Sequence, residues 1–406
     1  MFSLESFYKI ISKNLLEPLE IENYCFEPFG SIDSNDLKKH FPKNKCYDNY
    51  TLFYDQEPIY SSAIEQLSFF NMNQPISSDA WFRYFAHLKG QITFGQHNFY
   101  ILANSEKSIE KRNVIKNLNL YDWYYFFHGF AALDWYRNIR YIPPIRSYSK
   151  LFISFNNLIN GKRCYRLEFL AKLVSANLHH LGYISITQDY TEHKIKKELI
   201  NAFSPLTTNT KKSIFYNVIP NISNFVIDKN PRGNLSADDN LEILSSGLVH
   251  IVTETVFYDQ KLHLTEKIFK PIVARRPFLL LAAPYNLQYL KSYGFKTFEP
   301  WIDESYDTEV DNGKRIEMVV TELQKLAELS QSDLNKIYIE MQETLDFNFH
   351  WFYTGFKQRI VEELVDNFEI ATKQYNLNKS KTADNYLDVS VIDFDAIKKR
   401  LTLGSD

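Results

Sequence analysis

The stretch 248–284, "LVHIVTETVFYDQKLHLTEKIFKPIVARRPFLLLAAP", holds two apolar runs separated by a segment with helical character. "LVHIVTETVF" (248–257) and "PFLLLAA" (277–283) read as strands, and "TEKIFKPIVAR" (265–275) reads as a helix between them. Strand, helix, strand with short connections predicts two parallel neighbours in one sheet, and so an α/β fold. The pattern continues in both directions. Downstream, "YNLQYLKSYG" (285–294) reads as a helix ended by a glycine, "FKTFEPW" (295–301) as a short strand, and 312–372 as helical. Upstream, "LFISFNN" (151–157) and "YISIT" (183–187) read as strands. They flank a helix over 163–182, in which Leu167, Leu170, Leu173 and Val174 recur at helical spacing. A polar helix near 191–203 and a loop-rich region to about 240 complete this half.

The pair Pro143 and Pro144 in "YIPPIRSYSK" (141–150) breaks any helix and marks the expected hinge. Before it, "YTLFYDQEPI" (50–59) starts as a strand, and "GQITFGQ" (90–96) and "NFYILAN" (98–104) also read as strands. "SEKSIEKRNVIKNL" (105–118) reads as a helix, and the aromatic run 121–140 as a buried helix. The expected architecture is α/β, two Rossmann-like domains facing a cleft. One domain spans 1–147, a second with terminal helices spans 148–372, and 373–406 forms a polar and then amphipathic tail. Ligands of such sheets sit at the carboxyl ends of the strands.

Length and composition agree. A chain of 406 residues with 45% hydrophobic and 16% aromatic content has ample material for two cores. Net charge is only -3, so a nucleic-acid or membrane partner has to be argued from local charge. Three cysteines, Cys25, Cys46 and Cys164, include no C-x-x-C pair, which argues against a disulfide framework or a zinc site. No apolar run reaches about 18 residues, and the amino terminus lacks the apolar core of a signal peptide. The expected location is the cytoplasm, with no membrane partner.

Three segments carry chemistry. Thr265 is a good N-cap at the carboxyl end of a strand, and Lys267 and Lys270 add positive charge to the helix start. That corner suits a diphosphate, and Glu266 can accept hydrogen bonds from ribose hydroxyls. The same residues also fit an ordinary capped helix with solvated lysines. Upstream of the cap, Glu254 and Thr255 end the strand and His263 closes the loop. Glu254 there suits a ribose or sugar ligand, or a plain strand terminus. The second segment is 137–166, where Arg137, Arg140, Arg146, Lys150, Lys162, Arg163 and Arg166 occur without an acidic residue. Within it, Ser154, Asn156 and Asn157 can donate hydrogen bonds, and Arg166 in the first turn of a helix can grip a phosphate bidentately. The alternative is a solvated basic face. The third segment supplies candidate bases for a hydroxyl acceptor: Asp55 and Glu57 in "YDQEP", and His128 in "FFHGF".

These residues resemble a known family. "VTETVFYDQKLHLTEKIFKPIVARRPFLL" resembles the donor-site signature of two-domain (GT-B) glycosyltransferases of the α1,3-fucosyltransferase type. In that signature a Glu-Asn-Ser is followed by a loop, then by Thr-Glu-Lys opening a helix, then by a strand led by proline. Glu254, Thr265, Glu266, Lys267 and Pro277 match, while Thr255 and Val256 replace Asn-Ser. "SFNN…YRLEFLAKL" resembles the family's Ser-Asn…Arg helix, whose arginine grips the donor phosphates and falls on Arg166. "GFKTFEPWIDESYD" (294–307) resembles a stretch shared by uncharacterised phage and giant-virus glycosyltransferases. The resemblance covers about 150–310. It implies a nucleotide-diphospho-sugar donor bound by 148–372; it does not reach 1–147, which is expected to be the acceptor-side domain. It also implies transfer to a hydroxyl, with inversion at the anomeric carbon, and no cofactor. The acceptor would be a glycan or a hydroxylated base in phage DNA, and the location host cytoplasm if the chain is viral. The D-x-D at Asp393 and Asp395 lies in the tail, so no metal site is expected. The rival expectation is a non-catalytic nucleotide- or partner-binding protein.

Overall fold

A computed structural model describes residues 2–19, 23–26, 49–54, 99–108, 120–139, 148–156, 158–187, 192–202, 204–228, 241–258, 260–378 and 387–403. The chain forms two compact units, Met1–Arg137 with Phe356–Asp406, and Asn138–Gly355. Each is built on a parallel sheet, so the α/β class expected from the sequence is the class observed.

In the first unit, β1 (Asn23–Phe26), β2 (Asn49–Tyr54), β3 (Phe99–Asn104) and β5 (Leu120–Tyr124) pair in the order β1-β2-β3-β5, all parallel. A two-residue strand, β4 (Lys107–Ser108), follows β3 where the sequence suggested the start of a helix. The aromatic run 121–140 is also not one helix. Its first residues continue β5, and only Phe127–Trp135 is helical. An all-round apolar segment has no period by which strand and helix can be told apart.

The first unit also takes the carboxyl-terminal part of the chain. The helix Gly355–Asn378 buries Phe356, Ile360, Val361, Leu364, Val365, Phe368, Ala371 and Tyr375. Trp123 Nε1 donates to Leu364 O at 2.9 Å, and the Trp123 ring meets Phe368 edge-on at 4.7 Å. Residues 356–372, expected to belong with 148–355, therefore pack with the first sheet. Gly129 permits the approach, since a Cβ there would lie 2.8 Å from the Phe356 ring. The tail has structure of its own. Asp393 caps the helix Phe394–Leu403 through Ala396 N at 2.9 Å, and that helix buries Ile397 and Leu401.

In the second unit, β6 (Lys150–Asn156), β7 (Gly182–Thr187), β8 (Val226–Asp228), β9 (Gly247–Thr253) and β11 (Phe278–Leu281) pair in parallel, in the order β11-β9-β6-β7-β8. A two-residue strand, β10 (Lys261–Leu262), lies between β9 and β11 in the chain. All seven residues of β9 are buried, as expected of an interior parallel strand covered on both faces. Mid-strand His250 is among them, and its Nε2 lies 2.6 Å from Leu244 O.

Three local expectations differ. The 265–275 helix is a 3₁₀ turn, Glu266–Ile268, followed by a short helix, Phe269–Val273. Pro271 lacks an amide proton, so it belongs in a first helical turn, and the residues before it wind as 3₁₀. Residues 295–301 form no strand, because Asn348 takes the place of a neighbouring strand. Its side chain accepts from Lys296 N at 2.9 Å and donates to Lys296 O at 2.8 Å. The loop-rich region contains the helix Thr208–Asn217, capped by Thr207, in which only Ile214 is buried.

Candidate functional site

The second sheet places the carboxyl ends of β6 and β9 side by side, and the residues singled out in the sequence gather there. Glu254 follows β9 directly and is fully buried. Its backbone amide donates to Leu281 O at 2.9 Å, tying it to β11. Its carboxylate accepts Thr265 N at 3.0 Å through Oε1. Oε2 accepts Thr265 Oγ1 at 2.6 Å and Thr255 N at 3.2 Å. With those bonds made and no surface exposed, Glu254 is not disposed to bind a ribose or a sugar; it joins the strand end to the cap.

Thr265 is extended and caps the turn, accepting Lys267 N at 3.4 Å. The Lys267 ammonium lies 3.0 Å from Thr265 Oγ1, 3.1 Å from Glu266 Oε1 and 3.5 Å from Thr255 Oγ1. Its side chain is 27% exposed, whereas that of Glu266 is 3% exposed. Lys270 is half-buried, with Nζ 5.6 Å from the centre of the Phe155 ring. The corner therefore presents a held ammonium to solvent at the start of a capped turn.

Arg166 lies elsewhere than its sequence position suggested. It is 2% exposed. Nη1 donates to Leu158 O at 2.7 Å, and Nη2 to Thr253 O at 2.6 Å and Glu254 O at 3.2 Å. Both terminal nitrogens thus donate to backbone carbonyls that end β9 and continue the loop after β6, while Nε is buried without a hydrogen-bond partner. Ser154 and Asn156 are buried as well. Asn156 Nδ2 donates to Ser154 Oγ at 3.0 Å, and its Oδ1 accepts Thr253 Oγ1 at 3.3 Å, bridging β6 and β9. Asn157 lies outside the described residues.

The described residues of the loop after β9, 254–258 and 260–265, are held by residues that the sequence did not single out. The Phe257 ring stacks on Tyr165 with centroids 4.0 Å apart, and the Arg315 guanidinium lies 4.2 Å from the Phe257 ring centre. Arg315 donates to Phe257 O at 2.8 Å and Glu309 O at 2.6 Å, and burial lowers its pKa to about 10. Tyr165 donates to Glu254 O at 2.6 Å. Asn286 accepts His263 N at 2.9 Å and donates to Lys261 O at 2.8 Å, so the buried His263 belongs to a pinned loop. No local motif marks Arg315 or Asn286; the partners by which they hold this loop are 58 and 23–25 residues away.

The basic segment also resolves into separate roles. Arg137 pairs with Asp134, and Lys150 donates to His180 O at 3.3 Å. Lys162 and Arg163 are half-buried, on the 3₁₀ turn Gly161–Arg163 that leads into the helix Tyr165–Ser175. Arg140 and Arg146 lie outside the described residues, as do Asp55 and Glu57. His128 is buried in the helix Phe127–Trp135, with its ring edge-on to Phe127 at 5.4 Å.

The acidic stretch 303–307 serves local structure. Glu304 accepts Thr297 Oγ1 at 2.8 Å and Phe298 N at 2.7 Å, and pairs with Lys291 at 3.0 Å. Asp307 accepts Leu287 N at 2.8 Å and Gln288 N at 3.0 Å at the start of the helix Asn286–Ser292, and burial raises its pKa. Among the described residues, no helix is long and apolar enough to cross a membrane.

No family model matches the sequence, and no curated protein matches it. Three solved structures are similar to the chain. One is T4 phage BGT in complex with its UDP-glucose substrate, at 12% identity and TM-score 0.43, covering 90% of this chain and 92% of that one. The second is the DNA-modifying enzyme β-glucosyltransferase in the presence and absence of uridine diphosphoglucose, at 10% identity and TM-score 0.42, covering 92% of each chain. The third is a mutant of T4 phage BGT in complex with UDP-glucose, at 12% identity and TM-score 0.40, covering 80% of this chain and 74% of that one. At such low identities and TM-scores the reading of the site rests on its own geometry.

Proposed function

We propose that the chain is a glycosyltransferase, and that the unit Asn138–Gly355 binds a nucleotide-diphospho-sugar at the corner Thr265–Lys267. The observation that carries this reading is the Lys267 ammonium, held by Thr265, Glu266 and Thr255 yet open to solvent at a capped turn beyond β9. The signature over 254–277 supports it, including its fucosyltransferase-type likeness. Arg163 replaces Arg166 as the second cation for the diphosphate, because the Arg166 terminal nitrogens are committed to carbonyls. The signature offers Glu266 for the ribose, which would require its carboxylate, 3% exposed and paired with Lys267, to turn outward when the donor takes the ammonium.

In the reaction, the acceptor oxygen attacks the anomeric carbon as its proton passes to a base, Asp55, Glu57 or His128. The bond from that carbon to the diphosphate oxygen breaks, with inversion. Charge grows on the leaving diphosphate, where Lys267 and Arg163 stabilise it, so transfer runs without a metal or other cofactor. The acceptor is a glycan or a hydroxylated base in DNA, and the enzyme works in the cytoplasm, that of a host if the chain is viral.

A thermal-shift screen with UDP, GDP, CMP and dTDP tests the donor site. Ligand at a hundred times Kd stabilises by about 2.7 kcal/mol, and Lys267→Ala should remove the shift. UDP-glucose is then offered with either a glycan or a duplex bearing a hydroxylated base. Transfer to one of them names the acceptor class. No shift with any nucleotide would favour a non-catalytic protein.

A further inference from the structure

We infer that Glu254 is a positioning residue that acts on Lys267 through the hydroxyl of Thr265. The inference deepens the proposed nucleotide-binding reading and rests on it for its functional consequence. A threonine hydroxyl has one proton and two lone pairs. At 2.6 Å from Glu254 Oε2, the Thr265 proton is committed to a carboxylate in a short, charge-assisted bond. The lone pairs then face the other way, towards Lys267 Nζ at 3.0 Å and Lys267 N at 3.4 Å.

The anchor itself does not move easily. Glu254 Oε1 also accepts Thr265 N, and Oε2 accepts Thr255 N. The Glu254 backbone carbonyl is held by Tyr165 Oη at 2.6 Å and Arg166 Nη2 at 3.2 Å. One buried carboxylate thus fixes the backbone of the cap and the direction of its hydroxyl, and Thr255 Oγ1 gives the same ammonium another acceptor at 3.5 Å. The nearest of the oxygens that hold Lys267, the Thr265 hydroxyl, has its orientation set by Glu254.

Glu254→Gln keeps the shape and replaces one acceptor oxygen with an NH2 group. That group faces an N–H or turns the Thr265 hydroxyl round, so its proton points at the ammonium. In the place of Oε2 it costs Lys267 its Thr265 acceptor and leaves Glu266 and Thr255; in the place of Oε1 it faces Thr265 N and displaces the cap that carries the hydroxyl. Titration calorimetry with UDP on wild type, Glu254→Gln, Lys267→Ala and the double variant reads this directly. Glu254→Gln should weaken binding by about 10- to 100-fold, the range of one hydrogen bond to a charged group. In the Lys267→Ala background it should weaken binding no further. Additive losses, or unchanged binding by Glu254→Gln, would overturn the inference.

Lysine acetylation followed by mass spectrometry gives a readout that needs no nucleotide. Lys267 should label several-fold faster in Glu254→Gln and in Thr265→Val than in wild type, while Lys314 labels at an unchanged rate. An unchanged Lys267 rate overturns the positioning role whatever the nucleotide result. If wild type binds no nucleotide but Lys267 labels faster in the variants, the positioning role stands and the donor-site reading falls. Thr265→Val carries the test if Glu254→Gln does not fold.

Discussion

The second sheet has two strand-to-helix corners side by side, one after β6 and one after β9, and each places a cation near the start of a helical turn. In sequence they look alike. In the structure, Arg166 is 2% exposed and its terminal nitrogens are consumed by Leu158 O, Thr253 O and Glu254 O. Lys267 has a side chain 27% exposed and is held only by side-chain oxygens. A buried cation whose terminal nitrogens donate to three carbonyls braces the site. A cation held by hydroxyls and a carboxylate at the surface can exchange those partners for a ligand.

The comparison breaks first on stability. Arg166→Ala leaves buried carbonyls without a donor and opens a cavity, so it should cost about 3–5 kcal/mol of unfolding free energy in urea titrations. Lys267→Ala should cost less, about 1–2 kcal/mol, because its ammonium is partly exposed although the buried Glu266 carboxylate loses a partner. On turnover the ranking reverses for the variant that stays folded. Lys267→Ala should lose about 2–4 kcal/mol of transition-state stabilisation, seen in kcat/KM for sugar transfer. Equal stability losses in both variants would erase the distinction between the corners.

His250, in the middle of β9, separates bracing from binding by pH. Burial holds its pKa down at about 4, against 6.5 in an unfolded chain. Between those values the unfolded chain binds a proton that the folded chain does not. Stability is therefore full above pH 6.5 and should fall by about 3 kcal/mol as pH drops to 4. His250→Gln should flatten that slope in pH-dependent urea melts. The smallest effect belongs to Lys270. Its ammonium sits 5.6 Å from the Phe155 ring centre, and Lys270→Ala should change stability by about 0.5–1 kcal/mol.

Much of the second unit was legible. β9 and β11 are short apolar runs bounded by polar turns, and Thr265 at the carboxyl end of β9 reads as a cap from residue type and position alone. What Arg166 does was not legible, because an arginine in a first helical turn has the same sequence signature whether it faces solvent or lies beneath the strand ends. The bond between Glu254 and Thr265 joins residues eleven apart across a loop, and no local pattern encodes it. Arg315 is further away still, bracing Phe257 from 58 residues along the chain. In the first unit, β5 was hidden in an aromatic run without a period. The return of Gly355–Asn378 to that sheet was hidden because an apolar stripe does not say which sheet it covers.

Titration calorimetry of UDP, GDP, CMP and dTDP into wild type and Lys267→Ala tests the corner most directly. The account predicts that one nucleotide binds wild type, and that Lys267→Ala binds it at least about tenfold more weakly while it still melts well above Arg166→Ala. Equal binding by both proteins, or no binding of any of the four by wild type, would contradict it.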